Sequence, residues 1–322
     1  MVAPTNVRSG AVTALFLAAQ AARGTAATVF SSAQRLWTTR VPKLLDSRKH
    51  REAYMGVGVG PSAEGSWDEP ELLRGTIEFW ATPTTLATAL GNVIGAVDPV
   101  SIMTQLGDDD YVTLAWVEQV DGALGKVVRL RDAWLYDVEV VVEADGKVKI
   151  VAQYAATAAL VQDYSAGGLS FPASPMLPTD LSAYPGLVAE LRRDPAGANQ
   201  SLRFARVSAR YACDVLHEYT QTAGGFDVAK GGPLHASLTW RGDYSDESWV
   251  ALVNALADTR QTYRVVLYTN NASGGQVQLD FSNFAWEFLE GPGHAGSRYA
   301  PQIAHGEALI DVGGTFIAVT IA

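Results

Sequence analysis

The sequence of 322 residues holds a single cysteine, Cys213. One thiol excludes an internal disulfide, and no cysteine–histidine cluster is present to hold structural zinc. A small buried hydrophobe is the expected role of Cys213. Histidine is scarce too: His50, His217, His235, His294 and His305 are the whole complement, and no two stand four apart as on a metalloprotease helix. His217, in "HEYTQ", is therefore expected on a strand or at the surface. The sequence also lacks a G-x-S-x-G elbow, a Walker A loop and a G-x-G-x-x-G between a strand and a helix. "MGVGVG" has glycines at the wrong spacing.

Basic residues are in deficit. The chain has 24 Lys plus Arg against 34 Asp plus Glu, a net charge of −10. That sign disfavours a protein that grips phosphate backbones. Long apolar runs are missing as well, and none approaches the ~18 residues of a membrane span. The nearest is "AVTALFLAAQAA", Ala11 to Ala22, which follows Arg8. It reads either as a first strand or as a signal segment ending near Ala-Gln-Ala, and its single preceding basic residue and alanine-rich character favour the strand.

What is present fits a folded, turn-rich chain: 48% hydrophobic residues, 18% charged, 30 glycines and 14 prolines. The length suggests two domains. The stretch "AGGLSFPASPMLPTDLSAYPG", Ala166 to Gly186, is unsuited to a helix interior or central strand because of its prolines, and it marks a connection. The expected organisation is a first domain over 1–165, a Pro-rich linker over 166–188 and a second domain over 189–322.

The two halves read alike. On the left, "TIEFW", "YVTLAWVEQV", "KVVRLRDAWLYDVEVVV" and "KVKIVAQYAA" alternate as strands, with one helix expected over 84–97 and capped by Thr84 or Thr85. On the right, "ASLTW", a helix over 246–258 capped by Ser245 or Asp246, "TYRVVLYTNN", "QVQLDFSNFAWEFL" and "GEALIDVGGTFIAVTIA" repeat that order. Leu86, Leu90, Val93 and Ile94 form the apolar face of the first helix; Trp249, Leu252, Val253 and Leu256 form that of the second. Trp80 and Trp240 end the pre-helix strands. The offset drifts between about 150 and 162 residues, which reads as a gapped tandem duplication of a mainly β unit.

Charge is unevenly placed. Gly75 to Gly125 has no Lys or Arg but carries Glu78, Asp98, Asp108, Asp109, Asp110, Glu118 and Asp121, and Val265 to Ser297 has only Asp280, Glu287 and Glu290. Arg35, Arg40, Lys43, Arg48, Lys49 and Arg51 cluster early in the first half, and Arg192, Arg193, Arg203, Arg206 and Arg210 early in the second. Opposite signs at opposite places invite self-association; an unevenly charged solvated surface is the plainer reading. The stretch over 43–72 reads as a long loop, of a length usually tied to function. Asp108, Asp109 and Asp110 form a solvated turn or, less simply, a cation site that lacks the alternating ligand pattern of a calcium loop. Eight tryptophans and the possibility of two carboxylates distant in sequence leave a glycan-binding or hydrolytic protein open. Trp80, Trp116, Trp134, Trp240 and Trp286 nevertheless fall in strands, where core packing is their ordinary use.

The opening "FLAAQAARGTAATVFSSAQRLW", the stretch after it, and "LRGTIEFWATPTTLATALGNVIGA" with its following strands resemble a tail tube protein of long-tailed bacteriophages. The Gly24-Thr25 turn and the Gly75-Thr76 strand leading into an apolar helix carry most of the likeness. What the resemblance implies is two tandem antiparallel β-sandwich or barrel domains, each flanked by one α-helix. It also implies a structural, non-enzymatic role without cofactor or metal, in the virion, after assembly in the host cytoplasm. The implied partners are further copies of the chain, forming trimeric, pseudo-hexameric rings stacked into a tube, together with the tape measure, tail terminator and distal tail proteins. DNA would pass through the lumen without specific binding, and no membrane is involved. In this reading Lys43, Asp46, Arg48, Lys49, Arg51 and Glu52 belong to an inter-ring loop. Asp108, Asp109, Asp110, Glu118, Asp121, Asp280 and Glu287 are candidate lumen acids. Another ring component of a phage tail or secretion system is the nearest alternative.

Overall fold

The structure, a computed structural model, describes residues 8–38, 46–48, 51–54, 65–68, 72–94, 111–120, 123–143, 148–172, 189–193, 200–202, 204–220, 225–230, 234–243, 261–268, 276–290, 301–308 and 317–321. The protein is mainly β and antiparallel. In the first half the strands are β1 (Arg8–Ala19), β2 (Arg35–Leu36), β3 (Asp46–Arg48), β4 (Arg51–Tyr54), β5 (Gly65–Asp68), β6 (Leu72–Trp80), β7 (Val112–Val120), β8 (Ala123–Glu143), β9 (Val148–Ala156) and β10 (Ala158–Asp163). Helix α1 (Pro83–Ile94) lies between β6 and β7. The second half contributes β11 (Ala189–Arg193), β12 (Gln200–Leu202), β13 (Arg206–Ala212), β14 (Val215–Thr220), β15 (Gly225–Lys230), β16 (His235–Asp243), β17 (Gln261–Tyr268), β18 (Gln276–Glu290), β19 (Pro301–Ala308) and β20 (Ile317–Ile321).

The same pairing order occurs in both halves. In the first, β6 pairs β9, β9 pairs β8, β8 pairs β7, and β7 pairs β1, which pairs β2. In the second, the sequence β16, β19, β18, β17, β11, β12 is joined in the same way. β3 lies against β6, as β13 lies against β16. Each of those strands is followed by a two-stranded hairpin, β4 with β5 and β14 with β15. The last strand of each half, β10 or β20, pairs the first part of the long strand, β8 or β18.

The long strands also bend alike. Each carries a non-glycine residue in the left-handed region, Asp132 at φ 50° and Asn283 at φ 52°. A register shift accompanies it, between Val112 and Leu114 against β8 and between Gln261 and Tyr263 against β17's partner β18. Aspartate and asparagine tolerate this backbone better than other side chains. A second shift follows, at Tyr136 opposite β9 and at Glu287 opposite β19. Bulges of this kind turn a strand, and here each long strand leaves one set of neighbours for another at its bulge.

α1 begins as its first residues dictate. Thr82 Oγ1 accepts the Thr85 N–H at 3.2 Å, and Thr85 Oγ1 accepts the Thr82 N–H at 2.9 Å. This is a reciprocal cap with proline at the first helical position, where its missing N–H costs nothing. Thr82, and not the expected Thr84 or Thr85, is thus the cap. The expected face, Leu86, Leu90, Val93 and Ile94, is buried. Asn92 fastens the helix to β8: its side-chain oxygen accepts the Leu135 N–H at 2.6 Å, and its carbonyl accepts the Trp134 indole N–H at 3.2 Å. The second expected helix, over 246–258, lies outside the described residues.

One apolar core runs through both halves, including Trp134, Tyr154, Ile77 and Leu90 from the first and Tyr211, Trp240, Tyr263 and Phe281 from the second. Cys213 is buried in it, as expected. Trp116, Trp134, Trp240 and Trp286 are buried, while Trp80 is half-buried. The apparent match of Trp80 with Trp240 does not follow the sheet. Thr76 faces Gln153, which faces Asp137 just past the bulge, and Thr239 faces His305, which faces Phe288 at the same place. Trp240 therefore occupies the place of Ile77, one residue beyond each threonine.

A smaller aromatic cluster covers the outside of β1, β7 and β8: Phe16, Phe30, Tyr164 and Phe171, with Phe30 and Phe171 stacked at 5.0 Å between centroids. The start of the expected linker is pinned here. Ser170 accepts the Phe30 N–H and donates to the Thr28 carbonyl, both at 2.9 Å. Residues 173–188 of that linker lie outside the described residues.

Candidate functional site

The two halves meet along a seam of backbone hydrogen bonds. β13 pairs β16 on one edge and, on the other, the second part of β8, with Arg206 opposite Glu143 and Ala212 opposite Asp137. Alternation makes this seam two-sided. Val207, Ala209 and Tyr211 point into the core and are buried, while Arg206 and Arg210 on the other face are exposed.

That outer face is ionic. Arg210 binds Asp137 with both forks of its guanidinium, Nε to Oδ1 at 2.8 Å and Nη2 to Oδ2 at 2.7 Å. Asp137 also accepts Gln153 Nε2 at 3.0 Å, and Gln153 in turn accepts the Tyr136 hydroxyl at 3.1 Å. Ser208 donates to Glu139, and Arg206 lies 3.8 Å from Glu139. The hydrogen bond to Asp137 raises the pKa of Arg210, against the opposing effect of partial burial. Arg210's side chain is 55% exposed, so solvent screens the pair; it fixes register more than it adds stability.

This arrangement joins bases that open the second half to acids of the first. Arg206 and Arg210 belong to the basic cluster seen in the sequence. Asp137 and Glu139 were missed there, although "DVEVVVE" places them two apart on one face of a strand, as "RVSAR" places Arg206 and Arg210 four apart.

The chain matches no protein-family model and no curated protein sequence.

The candidate assembly residues are divided by the structure. Asp46 and Arg48 stand on β3 at the sheet, paired in register with Arg74 and Leu72. Arg51 and Glu52 stand on the β4–β5 hairpin, opposite Asp68 and Trp67. The stretch over 43–72, expected as one long loop, thus contains three strands. "DSR" and "REAY" carry no apolar alternation, so only the neighbouring backbone reveals them as strands. Lys43 and Lys49 lie outside the described residues.

Of the candidate lumen acids, Glu118, Asp280 and Glu287 fall among the described residues. Asp280 is gripped by Arg264 of the neighbouring strand, through Nη2 to Oδ2 at 2.7 Å and a second bond from Nε, and this hydrogen bonding raises the arginine's pKa. Glu118 stands opposite Lys126 in register. Glu287 is exposed, at the second bulge of β18. Asp108, Asp109, Asp110 and Asp121 lie outside the described residues. The absence of lysine and arginine from a segment does not by itself leave an acid unpaired, since an adjacent strand can supply the base, as Arg264 does for Asp280. Glu78 shows the same effect, paired with Lys149 of β9.

Among the described residues no group of three or more His, Cys, Asp or Glu is placed to hold a metal ion. His217 stands on β14. The most connected buried acid, Asp132, is occupied structurally. It accepts Gln20 Nε2, the Gly24 N–H and the Thr157 hydroxyl at 2.7–2.8 Å. It thereby ties the Gly24 turn, at φ 79°, to the bulge of β8.

Proposed function

We propose that the chain is a self-assembling structural subunit of a tube, of the kind that conducts DNA in the tails of long-tailed bacteriophages, and that it catalyses no reaction. The observation that carries this reading is the seam between β8 and β13. One half of the chain already accepts the other edge to edge, by a repeated order of strands. On this reading the chain is a tandem duplication of one antiparallel β-sandwich or barrel unit, over 1–165 and 189–322, with the Pro-rich segment between.

A protein that joins sheets by their edges leaves no unpaired edge to stick unproductively when the last edge closes on the first. Rings are the closed form of such head-to-tail contact. Two units per chain make three chains the economical number for a six-unit ring, and three times −10 gives each ring a net charge of −30. An acidic ring suits a DNA conduit, since each phosphate neutralised by lysine or arginine adds salt-dependent affinity and holds the cargo back. Other tail proteins, the tape measure, the terminator and the distal tail protein, would meet the ends of the stack.

Electron microscopy of the purified protein, with symmetry analysis of its assemblies, tests this reading. Stacked rings with three-fold symmetry are expected. Monodisperse monomers under all assembly conditions, or rings of six complete chains, would overturn it.

A further inference from the structure

We infer that the seam between consecutive chains copies the one within the chain: β3 of one copy adds, antiparallel, to the second part of β18 of the next. This inference rests on the ring reading above and specifies its contact. In the first half, the second part of β8 is sandwiched, with β9 on one edge and β13 on the other. In the second half, residues 285–290 of β18 pair β19 on one edge, and among the described residues no strand lies on the other. β3 has the complementary gap. It holds β6 as β13 holds β16, but among the described residues it has no second neighbour. Among the described residues, the donor position and the acceptor position are therefore each filled once and left over once.

The matched bulges fix the register. Just past its bulge at Tyr136, β8 places Asp137 opposite Gln153, and just past Glu287, β18 places Phe288 opposite His305. Val138 and Leu289 are thus equivalent. Gln153 faces Thr76 and His305 faces Thr239, so Leu73 and Ala236 are equivalent, each three residues before its threonine. Ser47 faces Leu73 and Tyr211 faces Ala236. Since Tyr211 faces Val138, Ser47 of one copy should face Leu289 of the next, with Arg48 opposite Phe288 and Asp46 opposite Glu290.

The charges follow the inner seam in part. Arg210 reaches diagonally there, from its place opposite Glu139 to Asp137. In the new seam Arg48 stands diagonal to Glu290, within reach for a long side chain, while Asp46 and Glu290 are opposed like charges.

The test is a cross-link in the full chain carrying Ser47→Cys and Leu289→Cys. Directly opposed strand residues have Cα atoms about 4.5–5.5 Å apart, within disulfide reach. Cys213 is buried and does not compete. Oxidation of assembled protein is expected to give a ladder of covalent multimers that neither single variant gives. In parallel, unmodified protein is compared before and after assembly by hydrogen exchange, where amides of 46–48 and 285–290 should gain protection together. Rings that form without the ladder and without this protection would overturn the seam and leave the tube reading standing. Absence of rings altogether would overturn both. Protection without a ladder would keep the strand pairing and overturn the register.

Discussion

Tyr211 is wholly buried, stacks on Phe281 at 5.7 Å between centroids, and has a hydroxyl without a hydrogen-bond partner among the described residues. Burial pushes its phenol up, with the charge of Asp280 adding to the effect, and burial pushes Tyr154 up in the same way. An unfolded tyrosine ionises near pH 10. Because the folded value is raised, the contribution is fully present below about pH 10 and is lost as pH rises from there toward the folded value. Alkaline solution should therefore destabilise the fold. Tyr211→Phe removes the orphaned hydroxyl and is expected to be neutral or up to about 1 kcal/mol stabilising at neutral pH. It should also flatten the alkaline loss. Thermal midpoints of both proteins at pH 7 and above about pH 10 check this, and an unchanged alkaline slope would refute it. Elsewhere the residue scale is governed by fit. Gly75 lies directly opposite Tyr154, whose ring occupies the space a Cβ would need, so the Gly75-Thr76 signature is a packing requirement.

At the scale of elements, the strands with strict alternation were legible in the sequence, because a half-buried strand must alternate. β9 shows why: its burial runs inward and outward from Val148 to Tyr154. α1 was legible from its apolar spacing, but its cap shifted to Thr82 because Pro83 already fits the first helical position. The hairpins were not legible. β4 with β5 and β14 with β15 occur at the same place in the strand order of each half. If the first hairpin spans the gap between stacked rings, replacing residues 55–64 with a short Gly-Ser turn should leave ring formation intact and stop elongation. Electron microscopy decides: normal-length tubes from that variant would remove the hairpin from the stacking contact.

For the whole molecule, charge is organised between strands. Arg264 with Asp280, Lys149 with Glu78 and Arg210 with Asp137 each join acids to bases of an adjacent strand. Such pairs cancel fields locally, so a repulsive lumen needs acids that lack them. Asp108, Asp109 and Asp110 stand together in sequence without a basic residue on either side for many positions. On the tube reading, replacing all three with lysine should permit ring formation yet slow DNA passage, most strongly at low salt, where attraction to phosphate is least screened. A DNA-release assay at two ionic strengths measures this. Passage unchanged at low salt would place these residues away from the DNA.

The sequence by itself determined that the chain is mainly β and that an apolar helix follows the strand ending at Trp80. These are properties of side-chain pattern over a few consecutive residues, which burial on one face imposes locally. Only the tertiary structure decided which strands are neighbours. β3 is a strand because β6 offers it hydrogen bonds, Trp240 takes the place of Ile77 because the ladders set that register, and β13 joins β8 across the two halves. Strand pairing is made by backbone groups that every residue carries, so its partners are chosen by distance in space and leave little trace in the sequence.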